Sequence, residues 1–529
     1  METITSTAGM VVAPHMAAAK AGAEVLAAGG TAVDAMIAAA ATIAVVYPHM
    51  NAIGGDGFWL IAPQGRDPWY VEACGPAARK ASIEAYRKAE CDIVPTRGPL
   101  AALTVPGTVG GWARAHEIAA HLGGGLPVAE LLSDAVRRAR EGIVVSRSQA
   151  ALTAEKLAEL SGQSGFADVY LLNKKAPAEG ASLCQERLSD TLDHLGHAGF
   201  ADFYRGDVAA TLAADLDAMG SPVTRDDLRA YEARLRPPLR TRIKAGHLFN
   251  SAPPTQGLAS LIILGLYDRL EVARPESFEH IHGLIEATKR AFLVRDRIVT
   301  DPAYMDIDPA EFLSPDWLDR EAGEIDRRRA APWPHVAKDG DTVWLGAMDA
   351  AGNAVSFIQS IYWEFGSGCV SPRTGILMQN RGASFSLEPD AVNPLQPGRR
   401  PFHTLNPALA RLDDGRTVVY GTMGGEGQPQ TQAAVFSRAI LHGQDLGAAV
   451  DAPRWLLGRT WGDETTALRL ENRFDPDLVR ALERAGHQVV VLDAAYSDTM
   501  GHAGMIVREP SGALMGVHDP RADGGAACG

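Results

Sequence analysis

The sequence predicts an α+β fold in which stacked β-sheets are covered by helices. Segments rich in β-branched and aromatic residues lie towards both ends of the chain, and segments with the apolar spacing of helices are grouped between them. A sheet of this kind has an apolar face that must be covered by a second sheet or by a layer of helices. We therefore expect layered sheets with helices on the outside.

Local patterns near the start of the chain predict one strand and two helices. Gly9 to Ala13 is a short apolar run that indicates a strand. Met16 to Ala28 has helical spacing and ends at a pair of glycines, which commonly stop a helix. Thr31 can cap the next helix, whose body from Val33 to Val46 is apolar on nearly all sides and is predicted to be buried.

Two glycine-rich turns follow. The first, Pro48 to Gly57, leads into a predicted strand from Phe58 to Ala62. Because no helix follows this turn, it matches a phosphate-binding loop only weakly, and a buried turn is favoured. The second glycine turn, Val105 to Trp112, leads into a predicted helix.

The central part of the chain is predicted to be mostly helical. Its turn Ala252 to Gly257 contains two adjacent prolines, which would hold the backbone rigidly. The predicted helices are Pro127 to Glu141, Leu188 to His197, Asp207 to Met219, Gly257 to Leu270 and Phe278 to Ile298, and the predicted strands are Leu239 to Ile243 and His247 to Asn250.

The last third of the chain is predicted to be rich in strands. These are Ile376 to Gln379, Ala408 to Leu412, Thr417 to Tyr420, Gln488 to Leu492, Met505 to Val507 and Leu514 to Val517. Two helices, Thr431 to His442 and Pro476 to Ala485, are predicted among them.

Composition limits the classes of function. The chain of 529 residues is 46% hydrophobic and 22% charged, as expected for a globular protein with a large core. Its net charge of -14 argues against a nucleic-acid partner, because phosphate binding requires a basic surface. The five cysteines form no CxxC pair, so we expect neither a zinc site nor a disulfide framework, and no metal or cofactor.

The start of the chain shows no pattern of a secretory signal. The longest apolar stretch, Ala35 to Tyr47, is too short to span a bilayer. We therefore expect a cytoplasmic protein with no membrane association.

Thr342 is the candidate nucleophile. Asp341 to Asp349 and Ala354 to Ile358 read as a hairpin, and the preceding segment, Arg327 to Gly340, reads as solvated connecting chain. Cleavage before Thr342 would give a threonine whose own α-amino group, with a pKa of about 8, can take the hydroxyl proton. The alternative is that Thr342 is an ordinary strand residue, since threonine favours strands.

A series of motifs along the chain resembles the γ-glutamyltranspeptidase family. The motifs occur in the family's order and cover nearly the whole sequence: Gly29 to Ala35, Pro48-His49 with Ile53 to Phe58, Val105 to Gly111, Pro253 to Gly257, Asp349 to Val355 and Asp519 to Arg521. The resemblance implies an N-terminal nucleophile hydrolase with an αββα sandwich. It also implies a precursor that cleaves itself between Asp341 and Thr342 into a large subunit, 1–341, and a small subunit, 342–529, which stay associated.

The resemblance also implies roles in catalysis. Thr342 matches the family's nucleophile, and Ser360 matches the hydroxyl residue that hydrogen-bonds the nucleophile's amine. Gly424-Gly425 matches the glycine pair whose N-H groups form the oxyanion hole. A plain Gly-Gly turn after a strand is the alternative for that pair.

The positions that clamp glutamate in the family are different here. Glu72 stands in place of the arginine, His403-Thr404 in place of two serines, and Ser384 in place of the acidic residue, while Tyr362 replaces an asparagine. An α-carboxylate would gain little at such a site. A glutathione substrate is therefore not favoured.

Arg381 is a candidate for binding a substrate carboxylate instead, since a guanidinium can hold a carboxylate through two hydrogen bonds. A surface ion pair is the alternative. The Asn380-Arg381-Gly382 form is similar to family members that split a small amido-carboxylate such as oxamate. We therefore predict a threonine amidohydrolase acting on such a small molecule. Trp59, Trp344 and Tyr362 either narrow the pocket or belong to the core.

Three alternatives accompany this prediction. The chain could be a γ-glutamyl hydrolase or transferase acting on glutathione-like substrates. It could be a glutaryl or cephalosporin acylase with a larger acyl pocket. It could also be an unprocessed, inactive family member with a binding role.

Overall fold

Two stacked seven-stranded sheets form the centre of the molecule. The computed structural model describes residues 2–333, 341–458 and 465–529. All neighbouring strands within the two large sheets are antiparallel. The strands are β1 Ile4–Ser6, β2 Gly9–Ala13, β3 Asp56–Ala62, β4 Trp69–Ala73, β5 Ile143–Val144, β6 Ser182–Leu183, β7 Arg234–Arg236, β8 Leu239–Ile243, β9 Gly246–Asn250, β10 Asp341–Asp349, β11 Ala354–Tyr362, β12 Ala408–Leu412, β13 Thr417–Thr422, β14 Trp455–Leu457, β15 Leu468–Leu470, β16 Val489–Val491, β17 Ala503–Arg508, β18 Leu514–His518 and β19 Gly525–Cys528.

Helices cover the outer faces of both sheets. They are α1 Met16–Ala27, α2 Ala32–Val46, α3 Ile83–Lys88, α4 Thr108–His121, α5 Val128–Glu141, α6 Arg147–Glu155, α7 Leu157–Leu160, α8 Phe166–Tyr170, α9 Glu186–Ala198, α10 Asp202–Arg205, α11 Asp207–Met219, α12 Arg225–Ala230, α13 Gly257–Arg269, α14 Phe278–Ile298, α15 Pro315–Gly323, α16 Gln428–Phe436, α17 Leu446–Asp451 and α18 Pro476–Ala485. The first sheet has the order β1-β18-β17-β13-β12-β9-β8, and the second has the order β19-β2-β10-β11-β3-β4-β7.

The alternation of side chains along β10 shows how the layers are filled. Val343, Leu345 and Ala347 belong to the apolar cluster under the helices, whereas Trp344 and Met348 belong to the cluster between the two sheets. Successive strand residues point to opposite faces, so a strand covered on both faces needs apolar residues throughout. The layers therefore follow the order helix, sheet, sheet, helix.

Each large sheet contains both strands that precede Asp341 and strands that follow it. In the second sheet β10 pairs with both β2 and β11, and β11 pairs with β3. In the first sheet β12 pairs with β9, and β1 pairs with β18. The two parts of the chain consequently share both sheets.

Several predicted elements agree closely with the structure. Helix α2 begins with the expected Thr31 cap, and the Asp34 side chain completes a capping box. The hairpin of β10 and β11 is present, and the part of the connecting segment that is described, 327–333, is largely exposed. The rest of that segment, 334–340, lies outside the described residues.

One predicted strand needs correction, and several strands were not predicted. Ile376 to Gln379 forms only single bridges, Gly54 to Met378 on one side and Val370 to Leu377 on the other, because different loops flank it. The sequence patterns also missed β4, and they missed β14 and β15, which form a small sheet with β16.

Among the described residues, no helix has the length and apolar character that a membrane span requires. The expected cytoplasmic location stays a prediction.

Candidate active site

Thr342 lies at an irregularity in the pairing of β10 with β11. Asp341 pairs with Tyr362 and Val343 with Gln359, so two residues of β11, Ser360 and Ile361, lie opposite the single Thr342. The Thr342 residue is buried, with 1% of its surface exposed. Bulges of this kind are common next to active sites because they redirect a side chain out of the regular ladder.

The predicted oxyanion turn is linked to Thr342 through the start of helix α16. The Gln428 side chain, on the first residue of α16, donates from Nε2 to the Thr342 hydroxyl at 3.4 Å. Gly424 and Gly425 precede it with φ values of +119° and +49°. Such left-handed backbone favours glycine, so the sequence places the two glycines where this turn needs them.

Three further side chains support this turn. Gln256 donates from Nε2 to the carbonyls of Gly425, at 2.8 Å, and Thr404, at 2.7 Å. Its Oε1 accepts from Arg295 Nη1 at 3.0 Å, and Arg295 Nη2 donates to Glu426 at 2.8 Å. All three side chains are buried, so the turn is held from behind by an ion pair and an amide.

Ser360 lies opposite Thr342 in the bulge, and Tyr362 lies opposite Asp341. Ser360 Oγ accepts from the Tyr362 backbone N-H at 2.8 Å. Tyr362 has a φ of +82°, which is unusual for a residue with a bulky side chain. Backbone strain of this kind persists where the surroundings fix it, often at functional sites.

Arg381 is buried beside Tyr362. Its guanidinium lies over the Tyr362 ring at 3.8 Å from the ring centre, and Nη2 donates to Thr404 Oγ1 at 3.4 Å. Nη1 is buried and has no hydrogen-bond partner among the described residues. Burial lowers the pKa of Arg381 to about 10, so the side chain is cationic at neutral pH. A buried cation with an unused donor indicates a place for an anion.

Asp56 and His403 form a buried pair that affects the charge near Arg381. Asp56 Oδ1 accepts from the N-H groups of Gly75 and Gly107, and Oδ2 lies 3.3 Å from His403 Nε2. Burial raises the pKa of Asp56 to about 7, although the positive charge of Arg381 opposes this. Burial also holds the pKa of His403 well below its usual value. The imidazole is therefore neutral, and the carboxyl group titrates near neutral pH.

The other predicted binding residues are placed differently. Ser384 donates to the Phe402 carbonyl at 3.2 Å and, with Phe402 and Glu426, lines a cleft of about 280 Å³. Glu72 is buried between Arg236, at 3.0 Å, and Arg400, at 3.2 Å. The Glu72 carboxylate thus pairs with arginines of the protein itself, so these cations are already neutralised by Glu72.

The family model for gamma-glutamyltranspeptidase matches residues 18–529. The chain belongs to the gamma-glutamyltranspeptidase family.

Three relatives are similar to the chain over nearly its whole length. It is 53% identical to the oxamate amidohydrolase proenzyme of Klebsiella pneumoniae, over 99% of this chain and 98% of the relative. It is 38% identical to a glutathione hydrolase-like proenzyme of Bacillus subtilis, over 99% of each. The crystal structure of a cephalosporin acylase from Bacillus halodurans superposes with a TM-score of 0.92 at 32% identity, covering 100% of this chain and 97% of that one.

These similarities confirm the predicted family, the layered fold of the gamma-glutamyltranspeptidase and acylase structures, and a hydrolase of this family. Two of the relatives are named proenzymes, in agreement with a chain made as a precursor. The roles of the individual site residues stay predictions.

Two tryptophans of this gamma-glutamyltranspeptidase family member, which were candidates for narrowing the pocket, belong to the core. Trp59 packs against Phe357, with ring centres 4.1 Å apart. Trp344 lies between the sheets and donates from Nε1 to Ser356 Oγ at 3.0 Å. A Cβ on Gly421 would lie 2.1 Å from the Trp344 ring, so glycine at this position makes room for the indole.

One cluster has the residue types of a metal site. His282, Glu286 and His487 bring ligand atoms within 4.8 Å of one another. His282 Nε2 donates to the Asp326 carbonyl at 2.8 Å, so Nδ1 is the acceptor for His487 Nε2 at 2.9 Å. Glu286 accepts from Lys289 Nζ and from a backbone N-H. Protein hydrogen bonds and a lysine charge satisfy these groups, so the cluster reads as a structural network.

The sequence patterns missed three functional candidates. Asp56 and Gln256 lie within quoted motifs, but no local pattern gave them a role. Gln428 is 86 positions from Thr342, so only the fold brings the two together. A charged or amide residue inside an otherwise glycine-rich or proline-rich turn was the available signal for Asp56 and Gln256.

Proposed function

We propose that this chain is a self-processing threonine amidohydrolase that hydrolyses the amide of a small carboxylate, with oxamate as the model substrate. Cleavage between Asp341 and Thr342 would give a large subunit, 1–341, and a small subunit, 342–529. The observation that carries the proposal is the buried Arg381 guanidinium, with its unused Nη1, against Tyr362 on β11, the strand that pairs with the strand of Thr342.

The proposed self-cleavage uses the Thr342 hydroxyl. Its oxygen attacks the Asp341 carbonyl carbon, the C-N bond breaks, and the chain is then joined through an ester to the threonine oxygen. Water opens this ester and leaves a carboxylate on Asp341 and a free amine on Thr342. The bulge opposite Thr342 supports this step, because it places the hydroxyl outside a regular strand geometry.

The proposed substrate site is built around Arg381. The guanidinium would bind the substrate carboxylate, with the Tyr362 ring against one face and the Thr404 hydroxyl beside Nη2. The amide carbon of a two-carbon substrate would then lie a short distance from its own carboxylate. A short distance between the bound carboxylate and the attacked amide carbon suits oxamate, in which these two carbons are bonded to each other.

In the proposed turnover the free amine of Thr342 accepts the hydroxyl proton as the oxygen attacks the substrate amide. The N-H groups of Gly424-Gly425 would stabilise the oxyanion. The amine returns the proton to the leaving nitrogen, ammonia departs, and an acyl-threonine remains. Water then attacks the acyl carbon and releases the dicarboxylate, so one water is consumed for each ammonia formed.

Glutathione is a weaker candidate than a small amide. Glu72 stands where glutamate-binding relatives have a cation, and its carboxylate is held between Arg236 and Arg400. An α-carboxylate placed there would meet a like charge. The 53% identity to an oxamate amidohydrolase proenzyme supports the small substrate as well.

A denaturing gel and a substrate panel test the proposal. The parent protein should give two bands, one for residues 1–341 and one for residues 342–529. Thr342→Ala should stay full-length and inactive. Thr342→Ser, which keeps a hydroxyl, should still process. Oxamate should be turned over faster than γ-glutamyl-p-nitroanilide or a glutaryl amide. A full-length, fully active parent would exclude self-processing, and a preference for the glutaryl amide would favour an acylase.

A further inference from the structure

A second cavity is lined by chain segments that neighbour the Asp56 and His403 pair. It has a volume of about 650 Å³ and is lined in part by Pro76, Val105, Tyr231 and Arg400. Pro76 follows Gly75, whose N-H binds Asp56. Arg400 is three residues before His403. The cavity therefore adjoins the active site through shared chain segments, but Arg381 and Thr342 do not line it.

The lining of this cavity has an excess of positive charge. It contains two acidic residues, Asp227 and Glu232, and four arginines, Arg79, Arg114, Arg234 and Arg400. Two of the arginines have acidic partners outside the lining, since Arg114 pairs with Glu117 at 2.7 Å and Arg400 with Glu72 at 3.2 Å. Both acidic side chains are committed elsewhere, since Asp227 caps helix α12 and Glu232 pairs with Arg205 at 2.8 Å.

Arg79 and Arg234 have weak partners. Arg79 Nε is 3.9 Å from Asp227, and Arg234 Nη1 is 4.0 Å from Glu72. Glu72 already serves Arg236 and Arg400 at shorter distances. Among the described residues neither guanidinium makes a hydrogen bond, so each offers its donors to the cavity.

One buried polar group in the lining also lacks a hydrogen bond. The Tyr231 hydroxyl has no hydrogen-bond partner in the described part of the chain, whereas Arg400 Nε faces Glu72 Oε1 at 3.2 Å, and both residues are more than nine-tenths buried. Burial holds the pKa of Tyr231 well above its usual value, so its hydroxyl keeps its proton and can donate. Unsatisfied buried donors are uncommon in folded proteins and call for a ligand.

We propose that this cavity is a binding site for a small multivalent oxyanion, a dicarboxylate or inorganic phosphate, held by Arg79, Arg234 and Arg400 with the Tyr231 hydroxyl. All four side chains are donors, and planar guanidinium groups bind carboxylate and phosphate oxygens in pairs. The site is separate from the proposed carboxylate contact at Arg381.

Titration calorimetry at constant ionic strength, with malonate and with inorganic phosphate, tests the site. The experiment uses the Arg381→Gln enzyme, so that binding at the proposed substrate site does not contribute. We expect saturable binding of at least one of the two anions. The anion that binds more tightly identifies the chemistry that the site prefers.

Matched variants locate the binding. Arg234→Gln should weaken it by roughly tenfold or more, as expected for the loss of a charge-assisted hydrogen bond. Arg187→Gln removes the same charge from an exposed helix position and should leave the affinity unchanged. Tyr231→Phe, which removes only the buried hydroxyl, should also weaken binding.

Three results would overturn the inference. They are no saturable binding of either anion, equal weakening by Arg234→Gln and Arg187→Gln, and binding that is present in the parent but lost in Arg381→Gln. None of these results bears on whether Thr342 processes the chain, so this inference and the proposed function can fail separately.

Discussion

At the scale of single residues, the site combines one buried cation with one carboxyl group that titrates near neutrality. Arg381 stays charged, while Asp56, with a pKa raised to about 7 by burial, can be neutral or anionic. When Asp56 is protonated, the field of Arg381 is available to a substrate. When Asp56 is ionised, it competes with the substrate carboxylate for the same cation.

Substitution of Arg381 should separate binding from chemistry. We expect Arg381→Gln to raise KM for oxamate by roughly 10- to 100-fold, because a charge-assisted contact contributes about 1.5–3 kcal/mol. Arg381→Lys keeps the charge but loses the planar fork, so it should recover only part of the affinity. Steady-state kinetics on processed protein measures both. An unchanged KM in Arg381→Gln would place the carboxylate elsewhere.

The Asp56 titration predicts a pH dependence of substrate binding. As pH rises through about 7, ionisation of Asp56 should raise KM for an anionic substrate, and Asp56→Asn should remove that limb of the profile. Kinetics between pH 5.5 and 8.5 on both proteins tests this, and superimposable profiles would contradict it.

The same group affects stability with a defined sign. Its folded pKa lies above the unfolded value, so the native state holds the proton more tightly. The contribution of Asp56 to stability is therefore present below about pH 4 and is lost as pH rises to about 7. Asp56→Asn should flatten this part of a melting-temperature profile.

At the scale of elements, helix α14 holds the chain just before the proposed cleavage site. Lys289 and Glu286 form a buried ion pair at 2.7 Å. Lys289 Nζ also donates to the Ala331 carbonyl at 2.7 Å, and Glu286 accepts from the Ala331 N-H at 3.0 Å. Ala331 is thereby fixed on both backbone groups, eleven residues ahead of Thr342.

Loss of one partner of this pair should be costly. Lys289→Met leaves the Glu286 carboxylate buried without its counter-ion, which destabilises proteins by about 3–5 kcal/mol. We expect a clearly lower melting temperature, with partial recovery in the double variant Lys289→Met, Glu286→Gln. Scanning calorimetry on the uncleaved Thr342→Ala background keeps the comparison within one chain. Equal melting temperatures with and without Lys289→Met would show that the buried Glu286 carboxylate does not need Lys289 as its counter-ion.

Sequence patterns correctly predicted those helices whose ends are fixed by side chains within the helix itself. Thr31 and Asp34 lie three positions apart and cap α2 without help from the rest of the chain. Ile376 to Gln379 looks equally regular, but its backbone bonds run to Gly54, far away in the sequence, and to Cys369 in the loop just before it. The Gln256 contacts with Gly425 and Thr404 likewise join parts of the chain that no short window of sequence contains. Periodicity therefore predicted the layers, whereas the polar network of the site required the fold.

At the scale of the whole molecule, the two proposed subunits share both large sheets. Strand β10 is bordered by β2 on one side and β11 on the other, and β11 is bordered by β3. Cleavage before Thr342 removes one peptide bond but none of these ladders. We therefore expect the two products to stay together in native conditions.

Size-exclusion chromatography and refolding test this arrangement. The processed protein should elute as one species that separates into two bands only on a denaturing gel. After urea denaturation, its recovery of activity should depend on protein concentration, because two chains must meet. The recovery of folded signal by Thr342→Ala should be independent of concentration. Two native peaks from the processed protein would contradict the shared sheets.

The presence of strands from both parts of the chain in each sheet also constrains how such a protein could evolve. A gene split at the codon for Thr342 would yield two separate polypeptides. Their strands would have to assemble into the same two sheets without a peptide bond that joins them. A single open reading frame keeps the two parts covalently joined during folding, and cleavage breaks the bond only after the shared sheets have formed. Processing from one transcript is thus the route that this topology favours over separately encoded halves.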